Sequence, residues 1–397
     1  MTADTVSILD SIEPGQFASD ADRFAAKEAA RRLLSRLENP FEQAWAITFE
    51  NAGLIAGLQL VQDLGIWAKW TEADKQSPGV ARSLTELLGW ANQSCEPNLL
   101  RRFLKQIESL HYLEEAGLDA WKPTPFSLAM GHKETYGADV IKAGLDHAFP
   151  CGINLPRFLA KNGYKEPLDI PSFDNYREVY GRDFFNYVQD HPEKGWSFQG
   201  VMAALTHYKM LWTDVYDTAD LVSGADLGKP LFVDVGGAQG LDTQRLLDRH
   251  PDLPPGVLFV EDLPEVVTTH GKEKLDERIT KLAHDFFQPQ PIAGARAYFF
   301  HAVPHDWPDA DVARMFAEVR KVMTRGYSKL LVYEVVMPAE GASRLATTLD
   351  LALMSCTSGI ERTEEAWRRL LKGCGFRITG VFRHPRALET VIEAETE

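Results

Sequence analysis

No two cysteines of this chain stand in a C-x-x-C pair, and the four present, Cys95, Cys151, Cys356 and Cys374, are scattered along 397 residues. That spacing builds neither a metal site nor a disulfide framework. The expectation is therefore no bound metal and reduced thiols in a cytoplasmic protein. The start, MTADTVSILDSIEP, lacks the basic n-region and apolar stretch of a secretory signal. No uninterrupted apolar run approaches the roughly 18–20 residues of a membrane span. Positive charge is short as well: 42 Lys and Arg face 57 Asp and Glu, a formal net charge of −15. Such a balance argues against broad contact with nucleic acid or an anionic membrane surface. Internal repeats and low-complexity segments are absent too.

What is present can bury a large core. Apolar residues make up 45% of the chain and aromatics 10%, and the length suggests two domains. Residues 19 to 38 show helical spacing with a mixed-charge face. Residues 41 to 70 are apolar around most of the circumference. A helix of that kind must be covered, by a core or by another chain. Residues 83 to 124 read helix, turn, helix, short strands, which is a winged-helix outline. Residues 127 to 225 look mostly helical, broken at HAFPCGINLP and KEPLDIPSF. From about 230 the pattern changes: LFVDV, VLFVED, AYFFHAV and KLLVYEVV alternate with stretches such as LDTQRLLDRH and DADVARMFAEVRKVM. This alternation predicts an α/β, Rossmann-like, doubly wound sheet. The expected domains are 1–125 and 126–397, with about 126–225 lining a substrate pocket. Phe149, Met202, His207, Trp212 and Met354 are expected to face that pocket.

The stretch LFVDVGGAQG, 231 to 240, reads as a buried strand breaking into a glycine turn. Three ligands compete for such a turn. A triphosphate loop needs a lysine and a hydroxyl after the last glycine, and neither follows Gly240. A dinucleotide fingerprint beginning at Gly236 needs glycines at 238 and 241, where Ala238 and Leu241 stand. S-adenosylmethionine needs bare backbone, plus carboxylates for its hydroxyls and amine. Asp234 ends the first strand and Asp262 the second, and an ionised Asp can accept from both ribose hydroxyls. Asp285 and Phe286 follow the third strand region, an acid and a ring face suited to adenine. Ligands of such sheets lie beyond the carboxyl ends of the strands, where these residues fall.

VDVGGAQG, VEDLPEVV, HDFFQPQP, HAVPHDWPD, YEVVMP and GIERTEEAW, in that order, resemble the class I S-adenosylmethionine-dependent O-methyltransferases. The likeness is to the plant caffeate and flavonoid type and to its fungal secondary-metabolism branch, and it covers essentially the whole chain. It implies an N-terminal winged-helix domain used for homodimerisation, and a small-molecule acceptor of aromatic or polyketide type. It implies that Gly236, Gly237, Gly240, Asp262, Leu263, Asp285 and Phe286 face the cofactor, with His301 where the family has Lys or Arg near the adenine. It implies His305 as general base, flanked by Glu334 and Glu361. Ala238 replaces the usual middle glycine, and Pro304 precedes the base where Leu, Met or Cys is usual.

A neutral imidazole suits the removal of a phenolic or enolic proton, since its pKa lies near working pH. A carboxylate on its other nitrogen fixes the tautomer. Two further readings compete. The fungal branch also contains S-adenosylmethionine-dependent pericyclases of the leporin type. GLDHAFPCGINLPRFL resembles their corresponding segment, with His147 at their catalytic histidine and His305 where they carry Arg. A DNA-binding regulator would use EPNLLRRFLKQIESL as recognition helix, with Arg101, Arg102 and Lys105. Overall acidity opposes that reading.

Overall fold

A computed structural model describes residues 2–167, 174–268 and 275–397, so most of the KEPLDIPSF break lies outside the described residues. The chain divides into two compact units, Met1–Ile141 and Lys142–Glu397. The first runs past the 125/126 boundary read from the sequence. The cause is the helix Pro125–Gly131, which packs against Ile66–Gln76. Thr71 Oγ1 donates to Leu128 O at 2.8 Å. A Cβ at Gly131 would lie 2.2 Å from Trp67 O, so only glycine allows that approach.

In the first unit, β1 (Arg82–Ser83), β2 (Leu113–Gly117) and β3 (Ala120–Pro123) form a small antiparallel sheet in the order β1-β3-β2. Helices Leu84–Trp90 and Pro97–Ser109 precede the β2–β3 hairpin, the element order expected from the sequence. Ser83 and Glu86 start the first helix with a reciprocal capping box. The second buries Leu100, Leu104 and Ile107, one face at helical spacing. Arg101 grips Asp119 through two bonds, at 2.7 and 2.8 Å. A guanidinium considered for DNA phosphates is thus held by the hairpin.

The helical run Pro40–Asp63 is, by length and composition alone, long and apolar enough to cross a membrane. It is not an uninterrupted apolar run, since Glu42 and Glu50 stand inside it. A core helix passes the same test, and Leu54, Leu58 and Val61 are buried in the unit's core beside Leu104 and Ile107.

The second unit carries the predicted parallel sheet. Its strands are β4 (Phe232–Val235), β5 (Leu258–Asp262), β6 (Ile279–Ala283), β7 (Ala297–His301), β8 (Lys329–Glu334), β9 (Phe376–Phe382) and β10 (Thr390–Thr396). Their order is β6-β5-β4-β7-β8-β10-β9. All neighbours from β6 to β8 run parallel, while β10 is antiparallel to β8 and β9. Side chains alternate faces along each strand. Val233, Val235, Tyr298, Phe300, Leu330 and Val332 pack on one side with Val312, Phe316, Trp367 and Leu371. Phe232, Phe299, Leu331 and Tyr333 pack on the other with Trp212, Tyr216, Leu246 and Leu247. The sheet is therefore covered on both faces, as a doubly wound architecture requires. Strand order reverses between β4 and β7, the switch point beyond which ligands bind.

Candidate active site

The glycine turn begins directly after β4. Gly236 and Gly237 both donate to Glu261 O, at 2.8 and 3.0 Å, which ties the turn to β5. Asp234 lies beneath it, wholly buried, accepting from Thr243 Oγ1 at 2.9 Å. Burial, with Asp242 adding to it, pushes the Asp234 carboxyl up to about 8. A Cβ at residue 237 would fall 2.5 Å from Asp234 Cγ, so Asp234 supports the turn from below and requires glycine above. Gly240 takes φ +80° and opens the helix Leu241–Arg249. Ala238 also lies in the left-handed region, at φ +46°. Its N–H donates to Asp262 Oδ2 at 2.9 Å, and Leu263 N–H donates to Oδ1 at 2.7 Å. The turn thus orients the carboxylate at the tip of β5, whose pKa burial raises.

Beyond β6, Asp285 accepts from Phe287 N–H at 2.9 Å. Phe286 is half-buried, edge-on to Trp307 at 6.0 Å between centroids. Leu263 is exposed at the tip of β5. Bare backbone, an acid at the β5 tip and apolar faces beside it fit an adenine nucleoside. His301, ending β7, is engaged differently from a lone adenine contact. Its Nδ1 lies 2.5 Å from Asp242 Oδ2 and its Nε2 lies 3.3 Å from Glu389 Oε1. Lys209 Nζ donates to the same Glu389 oxygen at 2.5 Å. Burial opposes charge on His301, but Asp242 and Glu389 outweigh it and hold its pKa up to about 10. Burial likewise disfavours the Glu389 anion, yet His301 and Lys209 bring its pKa down to about 2.

His305 sits in the short 3₁₀ turn Pro304–Asp306 after β7. Its Nδ1 lies 3.2 Å from Glu361 Oε1 and 3.4 Å from Glu334 Oε2. Its backbone N–H donates to Glu334 Oε1 at 3.3 Å. Both glutamates are buried, Glu334 at the end of β8 and Glu361 ahead of the helix Glu364–Gly373. The carboxylates fix the N–H on Nδ1, so Nε2 is the basic nitrogen of the neutral ring. Nε2 lies 3.9 Å from Asp306 Oδ2, outside hydrogen-bond distance. Burial opposes the imidazolium, but Glu334, Asp306 and Glu361 hold the His305 pKa up to about 10. Burial pushes Glu334 up to about 7, with Glu361 adding to the rise and His305 opposing it. Both shifts have one meaning: the cluster retains protons at neutral pH.

His147 lies in the helical segment Gly144–Ala148, 4% exposed. Its Nδ1 is 2.7 Å from Tyr176 Oη and its Nε2 is 3.0 Å from Lys194 O. A carbonyl only accepts, so Nε2 carries the hydrogen and Nδ1 accepts from the tyrosine. Burial lowers its pKa, which keeps the ring neutral. Of the residues expected to line the pocket, Trp212 is corrected. It is fully buried, stacked on Phe232 at 5.3 Å, because its indole fills the core under the sheet. Met202, Phe149 and His207 are exposed on their helices, and Met354 is half-buried.

Sequence reasoning missed Asp242, Glu389 and Arg362. Asp242 carried one signal, an acid in the first helical turn after Gly240. Arg362 stood inside the ERT segment but had no assigned task. Glu389 gave none, being 88 positions from His301.

A seven-stranded sheet with antiparallel β10 beside β8, a glycine turn after β4 and an acid ending β5 define an S-adenosylmethionine-dependent methyltransferase fold. Within that class the chain belongs to the O-methyltransferase family, whose domain model matches residues 166–377. It is 36% identical over 396 residues to O-methyltransferase ATR12 of Stachybotrys chlorohalonatus, covering 100% of this chain and 99% of the relative. It is 35% identical over 398 residues to O-methyltransferase mfmE of Annulohypoxylon moriforme, covering 99% and 95%. Two solved structures share the fold at lower identity. LepI in complex with SAM superposes with TM-score 0.85 at 21% identity, covering 100% of each chain. OxaC with sinefungin and meleagrin gives 0.82 at 24%, covering 96% and 94%. The cofactor of this class is S-adenosylmethionine.

Proposed function

We propose that this chain methylates a hydroxyl group of an aromatic or polyketide-type small molecule in fungal secondary metabolism, with His305 as general base. The observation that carries the reading is His305 itself, its Nδ1 committed to Glu361 and its Nε2 without a hydrogen-bond partner among the described residues. When bound, S-adenosylmethionine supplies an electrophilic methyl on a sulfonium. The chain's own residues do the rest. Gly236, Gly237 and Gly240 offer bare backbone, Asp262 would take the ribose hydroxyls, and Leu263, Asp285 and Phe286 would hold the adenine. Asp234 and His301 brace these groups from beneath and beside.

Nε2 of His305 would take the acceptor's proton, and Glu361 with Glu334 would stabilise the imidazolium that forms. A phenol of pKa about 10 is well matched to a base of that strength. Help of this kind contributes roughly 10²–10⁴-fold. The pericyclic alternative asks His147 to act on substrate, and both of its nitrogens are already bonded to protein.

Homodimerisation is part of the proposal. Phe41, Trp45 and Phe49 form an exposed ladder with centroids 5.7 and 4.5 Å apart. A contiguous exposed apolar surface of this kind marks an interface. Four free thiols support a cytoplasmic setting.

The test is incubation with methyl-labelled S-adenosylmethionine and a panel of phenols and polyketide–pyridone alcohols, read by mass. Products heavier by one CH₂ are expected. Products of unchanged mass, or lighter by water, with the cofactor intact would replace this reading by the pericyclic one.

A further inference from the structure

The loop carrying His305 is held by the segment that carries Glu361. Arg362 is 3% exposed, a cation almost without solvent. Its Nη1 donates to Pro304 O at 2.8 Å and its Nη2 to Trp307 O at 2.6 Å, so the fork straddles His305 and Asp306. Its Nε donates to Asp309 Oδ1 at 2.8 Å, at the start of the helix Asp309–Val322. The guanidinium also lies over the Trp367 ring, 5.3 Å from the centroid.

The main chain beside Arg362 completes the hold. Ile360 N–H donates to His305 O at 2.8 Å. A Cβ at Gly359 would come within 2.6 Å of that oxygen, so this segment runs directly along the loop. Met337 N–H donates to Arg362 O at 3.0 Å, tying the same segment to the chain leaving β8. Residues 360 to 362 thus hold three carbonyls around the base, and the residue between them, Glu361, meets its Nδ1.

We propose that Arg362 is a positioning residue for the base. It locks the Pro304–Trp307 turn onto the segment that carries Glu361, and so fixes the Nδ1–carboxylate distance. This rests on His305 being the base of methyl transfer. It also accounts for Pro304. Proline contributes no N–H to the turn, but its carbonyl is one of the two that the guanidinium takes, and its restricted φ suits a turn held by its oxygens. Lysine cannot replace the arrangement, because an ammonium is a point charge on a flexible stem and not a planar fork.

The experiment compares the full-length protein with Arg362→Lys. In the variant, kcat falls about 10–100-fold, as a misplaced catalytic group predicts, while cofactor affinity by calorimetry stays unchanged. The imidazole titration of His305, followed by nitrogen NMR, moves to lower pH because Glu361 no longer stays on Nδ1. For Arg362→Ala, added guanidinium ion restores part of kcat. Asp309→Ala is the second variant, since Asp309 is 67% exposed and its loss frees only one arm of the fork. It shows a smaller shift in the same direction. Unchanged kcat and unchanged titration in the variants, with an active wild type, would overturn the proposal. A wild type that methylates nothing would instead defeat the proposed function, and the titration alone would still decide the role of Arg362.

Discussion

His305 Nδ1 lies 3.4 Å from Glu334 Oε2 and 3.2 Å from Glu361 Oε1, and these contacts help set the pH at which the site can work. Burial works against the imidazolium, but the surrounding Glu334, Asp306 and Glu361 hold its pKa up to about 10. Only the neutral ring can accept a proton. Its fraction grows about tenfold per pH unit below that pKa, so kcat/KM is expected to climb through pH 7 to 9. Glu361→Gln removes one stabilising carboxylate and moves this limb to lower pH. His305→Ala removes it, with a loss of roughly 10²–10⁴-fold in kcat. Initial rates across pH with a fixed acceptor check all three. A flat profile in the wild type would exclude His305 as the base.

Ala238 at φ +46° predicts an asymmetry between two substitutions. Left-handed backbone costs an L-residue roughly 1–2 kcal/mol, and a β-branched residue more. The strain is local to the N–H that orients Asp262. Ala238→Gly should therefore keep or slightly raise both thermal stability and cofactor affinity. Ala238→Val should weaken S-adenosylmethionine binding at least about tenfold, as the turn shifts off the carboxylate. Calorimetric titration of both variants decides it, and equal affinities would show that the turn geometry does not govern Asp262.

His147 predicts a stability effect without a chemical one. Tyr176 Oη depends on its ring, which is 4% exposed, while Lys194 O also accepts from Ser197 Oγ at 2.9 Å. Replacing it with Phe leaves the buried tyrosine hydroxyl unpaired, at about 1–3 kcal/mol. The variant should melt below the wild type. Below its transition it should keep methyl transfer. Loss of activity at a temperature where circular dichroism shows a fully folded chain would give His147 a part in the reaction after all.

The legible parts of the molecule were those whose signal is local. Strands β4, β5, β7 and β8 read as short apolar runs because both of their faces are buried. The glycine turn and Asp262 read because they stand at strand ends, whereas His305 came only from the likeness of HAVPHDWPD to the family. Strand β10 gave less. It is mostly buried, yet it includes Glu393, whose carboxylate meets Lys329 at 2.6 Å. A charge in a buried strand hides its apolar pattern. Asp242 looked like an ordinary helix-start acid, and Glu389 like a loop residue. Their meeting on His301 is a product of topology, since β10 runs back beside β8 from the far end of the chain. Arg362 was hidden in another way. Its partners are the backbone carbonyls of Pro304 and Trp307, and sequence records no side chain for them.

That distant cluster yields the last prediction, on stability against pH. His301 has its pKa raised from an ordinary 6.5 to about 10, since Asp242 and Glu389 outweigh burial. A raised pKa stabilises fully below the unfolded value and is lost as pH climbs through the folded one. Glu389 is lowered from 4.5 to about 2, His301 and Lys209 outweighing burial. A lowered pKa stabilises fully above the unfolded value and is lost as pH falls through the folded one. The two windows overlap between pH 4.5 and 6.5, where the cluster contributes most. His301→Gln should therefore lower Tm most near pH 5 to 6, and its deficit should narrow steadily toward pH 10. Scanning calorimetry of wild type and variant over that range measures the difference directly. A deficit independent of pH would mean that His301 braces the β7 tip by shape alone and not as a cation between two carboxylates.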